Sequence, residues 1–163
     1  MPLALLDPQR PAVEYGELSP LDAGALSHGL ADADQRVLAR VVRGSRARTE
    51  SAFYDELSAA LQLPDGFGAN WMALTDTLRD FTIYSDASLV VIATEAEQLL
   101  ADGPDPQALL ALVDIFTTID REAQEQGDGR ARLLLAEAPG ELWRIKPRVE
   151  DLGVPVALAA FTR

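Results

Sequence analysis

Strands separated by helices predict an α/β fold with a small, mainly parallel sheet. Two patterns carry that prediction. Residues 88–93 and 133–136 are short, continuous apolar runs, the signature of strands buried on both faces. Between them, Leu109, Leu112, Val113, Phe116, Ile119 and Ala123 recur at helical spacing. Composition agrees: 163 residues, 48% of them apolar, can bury a core without disulfides or a structural metal.

Taken in order, the elements follow from local chemistry. Ser19-Pro20 with Asp22 opens a short helix ending near Gly29, since Ser caps and Pro suits the first turn. Residues 37–42, VLARVV, read as a strand closed by Gly44-Ser45. Thr49 caps a helix running to about Leu61, and Pro64-Asp65-Gly66 marks a turn. Asn70 caps a second helix, from Trp71 to about Phe81. The strand 88–93 follows, then a short helix over 94–100. The long helix is expected to start at Asp105-Pro106 and to stop at Gly127. After the strand 133–136, residues 145–152 form a short helix. Residues 154–161 form a final strand, with Pro155 at its start or on an edge because proline cannot donate to a ladder. The chain divides into an N-terminal extension (1–35), a central domain (36–137) and a C-terminal extension (138–163), together forming one compact unit.

The charge is uneven. The net charge of −12 comprises −5 over residues 1–35, +5 over 36–48, −14 over 50–129 and +2 over 130–163. Such acidity suits a basic protein partner and argues against nucleic acid or an anionic membrane. Arg36, Arg40, Arg43, Arg46 and Arg48 do not outweigh the adjacent −14. Without cysteine, and with His28 as the sole histidine, thiol nucleophiles and multi-histidine metal sites are excluded. No GxGxxG or GxxxxGK[ST] occurs, so neither a nucleotide nor another cofactor is expected. The N-terminus, MPLALLDPQRP, lacks a basic n-region, and no apolar run would span a bilayer. The expected setting is the cytoplasm of a bacterium.

On a wheel of the second helix, Trp71, Leu78 and Phe81 fall within about 60° of Leu74 and make a core face. Met72, Asp76 and Asp80 form an i, i+4, i+8 stripe on the opposite side. A methionine beside two carboxylates is a docking surface for a basic partner. The plainer alternative is a solvated face on which Arg79 pairs with Asp76.

The run Phe53-Tyr-Asp-Glu-Leu-Ser-Ala-Ala-Leu-Gln-Leu-Pro64-Asp-Gly-Phe-Gly68-Ala-Asn70-Trp-Met-Ala-Leu74-Thr-Asp76 resembles the barstar family. These are small acidic inhibitors of barnase-type bacterial ribonucleases. The resemblance covers roughly residues 36–137. It implies three layers, with a short parallel sheet packed against helices. It further implies that the second helix and the preceding loop plug a ribonuclease active site, their carboxylates standing in for RNA phosphates. The positions it points to are Gly66, Phe67, Gly68, Asn70, Met72, Thr75 and Asp76, with Asp80 one turn on and Glu122 on the long helix. Three positions depart from the pattern: Met72 replaces an aspartate, and Gly66 and Thr75 replace aromatics. The expected function is therefore an acidic inhibitor or immunity protein that blocks a basic ribonuclease or toxin and is not an enzyme. The alternative is an interaction module of the same fold with a different partner.

Overall fold

A computed structural model describes residues 2–161. Five parallel strands, β1 (Val13–Glu17), β2 (Val37–Arg43), β3 (Ser88–Thr94), β4 (Ala131–Glu137) and β5 (Ala157–Leu158), form one sheet in the order β2-β3-β4-β1-β5. The register sets Val37 opposite Ser88, Val91 opposite Leu133, and Val13 opposite Leu133 on the other side of β4. The helices are α1 (Pro20–Ala33), α2 (Glu50–Leu61), α3 (Trp71–Arg79), α4 (Ala108–Gln126) and α5 (Lys146–Glu150).

Strand side chains alternate between two cores, as the two-residue period of a strand requires. Val37, Ala39, Val90, Ile92, Leu134 and Ala136 face α1 and the N-terminal 3₁₀ turn Pro2–Leu6. Leu89, Val91, Leu133 and Leu135 face the layer formed by α2, α3 and α4, where Phe53, Leu74, Leu112 and Phe116 are buried. The sheet is thus the middle of three layers, as predicted.

Several local expectations require correction. The segment before residue 35 contains a strand, β1, inserted between β4 and β5. Its sequence, VEYGE, has a carboxylate at a buried position, which masked the strand: Glu14 lies in the interior because Arg132 and Arg10 bind it. Helix α1 is capped by Ser19 as expected but continues past Gly29 to Ala33. The predicted helix over 94–100 is only a 3₁₀ turn, Ala96–Gln98. Helix α4 starts at Ala108, because the Asp105 carboxylate accepts the Gln107 N–H and holds a turn before the helix. The last strand shrinks to Ala157–Leu158 on the edge beside β1, with Pro155 outside it. That chain end passes close over β1. A Cβ on Gly16 would collide with the Ala159 carbonyl oxygen.

Two arginines of the β4 segment are buried, Arg130 at 2% and Arg132 at 0% exposure. Arg130 donates to Asp120 at 2.7 and 2.9 Å, to the Leu6 and Arg10 carbonyls at 3.3 and 2.8 Å, and to the Asp7 carbonyl. Arg132 donates to Glu14, to the Leu5 carbonyl, and to the Ala12 carbonyl at 3.3 Å. Residues 5–12 therefore form a strap whose backbone acceptors satisfy these guanidinium groups, as buried charges require.

Candidate partner-binding site

Helix α3 and the loop before it build the site. Gln62 caps α2 in the left-handed conformation (φ 53°), which turns the chain out of the helix. A turn closes on itself where the Phe67 N–H donates to the Pro64 carbonyl at 2.9 Å. Asn70 then starts α3. Its Oδ1 accepts the Ala73 N–H at 2.8 Å, and its Nδ2 donates to the Gly68 carbonyl at 3.0 Å. One side chain thus caps the helix and ties down the loop.

The core face of α3 is as the wheel predicts at its centre: Leu74 and Leu78 are buried. Trp71 is half-buried at its start, and Phe81, just past its end, is half-buried too. Trp71 packs in an aromatic cluster with Phe53 and Tyr54, and Phe67 meets Tyr54 edge-on at 6.3 Å. Burial pushes the Tyr54 hydroxyl up to about 12.

On the opposite side Met72 is 75% exposed, and Asp76 and Asp80 are exposed in the same stripe. Gly66, Gly68 and Asn70 are exposed in the adjoining loop. Thr75 is half-buried and donates its hydroxyl to the Trp71 carbonyl at 2.8 Å, so it turns inward against its own helix. Glu122, half-buried on α4, is brought beside α3 by Arg79, whose Nε and Nη2 donate to it at 3.1 and 3.3 Å. Arg79 is also 3.9 Å from Asp76. The pair holds the Glu122 carboxyl below its usual range and raises the Arg79 guanidinium.

The face formed by the stripe and the neighbouring Glu122 of α4 therefore carries three carboxylates in different states. Glu122 is neutralised by Arg79, and Asp76 lies at the outer limit of the same arginine. Asp80 makes no side-chain hydrogen bond or ion pair with another described residue. Arg79 links α3 to α4, a role visible in the sequence only as an i, i+3 neighbour of Asp76. Beyond Arg79, α3 passes into a π-helical turn, Asp80–Tyr84, closed by the Ser85 N–H on the Asp80 carbonyl at 3.1 Å. This wide turn corrects the expectation of an α-helix to Phe81. It sets Asp80 and Phe81 along a cleft of about 470 Å³ facing the 61–67 turn.

A second titratable cluster lies at the carboxyl ends of β3 and β4, and nothing in the local sequence marks it. Glu137 accepts the Glu97 N–H at 2.6 Å. Burial, with the Glu97 carboxylate alongside, pushes the Glu137 carboxyl up to about 8. Burial opposes ionisation of Glu97 too, but hydrogen bonds from Glu137 and Gln98 outweigh it and keep that carboxyl low. Arg148 anchors the turn below by donating to the Ala96, Glu97 and Leu99 carbonyls at 3.3, 3.0 and 2.7 Å. Three of the arginines between residues 36 and 48 pair with nearby acids. Arg36 lies 3.8 Å from Asp34, Arg43 3.8 Å from Glu56, and Arg48 2.5 Å from Asp102. Among the described residues no group of three or more His, Cys, Asp or Glu side chains is placed to hold a metal ion, and no helix is long and apolar enough to cross a membrane.

A family model described as Barstar (barnase inhibitor) matches residues 37–134, well over half of the chain. The chain belongs to the barstar family. The barstar match runs from the start of β2 into β4, so it contains β2, β3 and the first half of β4 together with α2, α3 and α4. The strands on the other side of β4, and α1 on the opposite face, lie outside the barstar region. Among solved structures, the ORC2 protein of Aeropyrum pernix in its ADP form is 15% identical with a TM-score of 0.62. That similarity covers 96% of this chain and 44% of the ORC2 chain. The same protein in its ADPNP-ADP complexes is 17% identical with a TM-score of 0.54, covering 88% of this chain and 40% of that one. This chain therefore spans less than half of the ORC2 length, and what the two share is the fold. No curated protein sequence matches.

Proposed function

We propose that this barstar-family chain is an acidic inhibitor or immunity protein that binds and blocks a basic ribonuclease or toxin, acting by occlusion rather than catalysis. The observation that carries the reading is Asp76. It is exposed at the middle of the Met72–Asp76–Asp80 stripe, on a helix whose start is held by Asn70 against the preceding loop. A carboxylate in that position presents an anion to the cations of a phosphate-binding cleft, and a surrounding −14 segment speeds the encounter. The pairing of barnase with barstar is a general example of such charge steering. The proposed setting is the bacterial cytoplasm.

The reading has a direct test. Pull-down against basic ribonucleases, followed by an inhibition assay, identifies the target. Asp76→Ala weakens binding at least tenfold while the thermal midpoint stays unchanged. Unchanged affinity in that variant places the interface elsewhere. A second reading, a barstar-fold interaction module with a partner other than a ribonuclease, is favoured by one specific observation. Arg79 occupies Glu122, so the stripe offers fewer available anions than a site matched to several phosphate-binding cations. A partner with a single prominent cation then suits it better.

A further inference from the structure

We infer that the cleft between the 61–67 turn and the end of α3 is a receptor for an arginine side chain of the basic partner. The inference rests on the inhibitor reading, because it names what the partner brings to the same face. The walls of the cleft are mostly apolar, with Leu63, Pro64, Phe67 and Phe81, while Gln62 and Thr77 add neutral polar groups and Asp80 the one charge. Phe67 packs edge-on against Tyr54, with ring centroids 6.3 Å apart. Asp80 stands on the lining with no cation beside it among the described residues, unlike Asp76 and Glu122, which share Arg79. The mouth is open at Gly66, where an added Cβ would meet nothing within 4 Å. The π turn that begins at Asp80 sets both Asp80 and Phe81 on this side of the helix.

These features select one chemistry. A mostly apolar, aromatic-walled slot with one carboxylate takes a side chain that is long, partly apolar and cationic. A guanidinium stacks on aromatic faces and is weakly hydrated, so it loses less than an ammonium on entering. Its hydrogen bonds to a carboxylate are charge-assisted. The net charge of −14 over residues 50–129 supplies the long-range complement to a basic surface.

Nα-acetyl-arginine amide is the probe, titrated into the full-length, isotope-labelled protein and followed through backbone amide chemical shifts. Saturable shifts confined to residues 61–67 and 77–81 are expected. They weaken about tenfold in Asp80→Asn, which loses the charge-assisted bond. They vanish in Gly66→Trp, whose Cβ would meet nothing within 4 Å; amide shifts unchanged outside the 61–67 and 77–81 segments check that this variant keeps the fold. Nα-acetyl-citrulline amide, of the same shape without charge, binds far more weakly. An absence of saturable shifts, or equal binding of citrulline amide, or full binding by Gly66→Trp, overturns the inference. With an inhibited ribonuclease in hand, the two ideas separate. If Asp76→Ala relieves inhibition while Asp80→Asn and Gly66→Trp do not, the inhibitor reading stands and the arginine receptor falls. If arginine amide binds as described while no basic ribonuclease is inhibited, the receptor stands and the ribonuclease reading falls.

Discussion

Replacing Arg132 with methionine probes how the strap of residues 5–12 is held to the sheet. The guanidinium is wholly enclosed and donates to the Glu14 carboxylate and to the Leu5 and Ala12 carbonyls. Removing one member of a buried ion pair costs about 3–5 kcal/mol, because the other charge is left in low dielectric. Here Arg10 remains on Glu14, with Nε at 3.1 Å and Nη2 at 3.0 Å, which places the ionic part at the low end of that range. The Leu5 carbonyl, left without that donor, adds about 1 kcal/mol, less where water reaches it, whereas the Ala12 carbonyl keeps the Leu133 N–H at 2.9 Å. Packing of the methionine in place of the arginine stem offsets part of this. The expected loss is about 3–4 kcal/mol, or roughly 10 °C in Tm for a chain of this length. Glu14→Leu in the same background removes both charges, and replacing a whole buried pair by apolar groups is often neutral. The double variant is therefore more stable than Arg132→Met alone. Urea unfolding followed by tryptophan fluorescence measures both single variants and the double, with the slope checking that the transition stays two-state. A loss under about 1 kcal/mol for Arg132→Met refutes the reasoning, as does a double variant whose loss is the sum of the two singles.

Three further outcomes follow from the geometry. Asn70→Ala removes the cap of α3 and the tie to Gly68, and costs about 1 kcal/mol in urea unfolding; an unchanged midpoint would mean the loop holds itself. Arg79→Met unmasks Glu122 and removes a positive charge from the stripe; binding to a basic partner tightens and becomes more salt-sensitive, whereas weaker binding would show that Arg79 itself touches the partner. Glu137 titrates near 8 in the folded protein and near 4.5 when unfolded. Between those values the native state holds the extra proton, so stability falls as pH rises from about 5 to about 8, by at most about 1.4 kcal/mol per pH unit. Glu137→Gln flattens that dependence in urea midpoints taken across the window, and a parallel curve for the variant rules the group out.

Much of the architecture was legible because it depends on local chemistry. The apolar run of β3 and the leucines of β4 read as buried strands from their short length, and the stripe from Leu109 to Ala123 reads as an amphipathic helix from its period, and both are observed. The caps Ser19, Thr49 and Asn70 each perform the hydrogen bond their position predicts. The exposed stripe Met72, Asp76 and Asp80 followed from helical geometry together with the apolar positions Leu74 and Leu78. Beyond helix boundaries, which local turns shifted, what was not legible in the charged groups shares one cause, contact between residues far apart in the chain. Strand β1 was invisible because Glu14 reads as solvent-facing until Arg132, 118 positions away, is found against it. Likewise Glu122 reads as an available anion until Arg79, 43 positions earlier, is found bound to it. Glu137 reads as an ordinary carboxylate until the turn after β3 brings Glu97 alongside.

Periodicity, capping and charge distribution, which act within a few residues or over the whole field of the molecule, thus established the layered α/β fold, the acidic central segment and the exposed face of α3. The state of each carboxylate on that face was set by folding, because the energy of a charge depends on its burial and on the nearest opposite charge. Neither is known until distant segments meet. The same holds for the cleft beside Asp80, which exists only because the 61–67 turn and the π turn after α3 come to lie side by side.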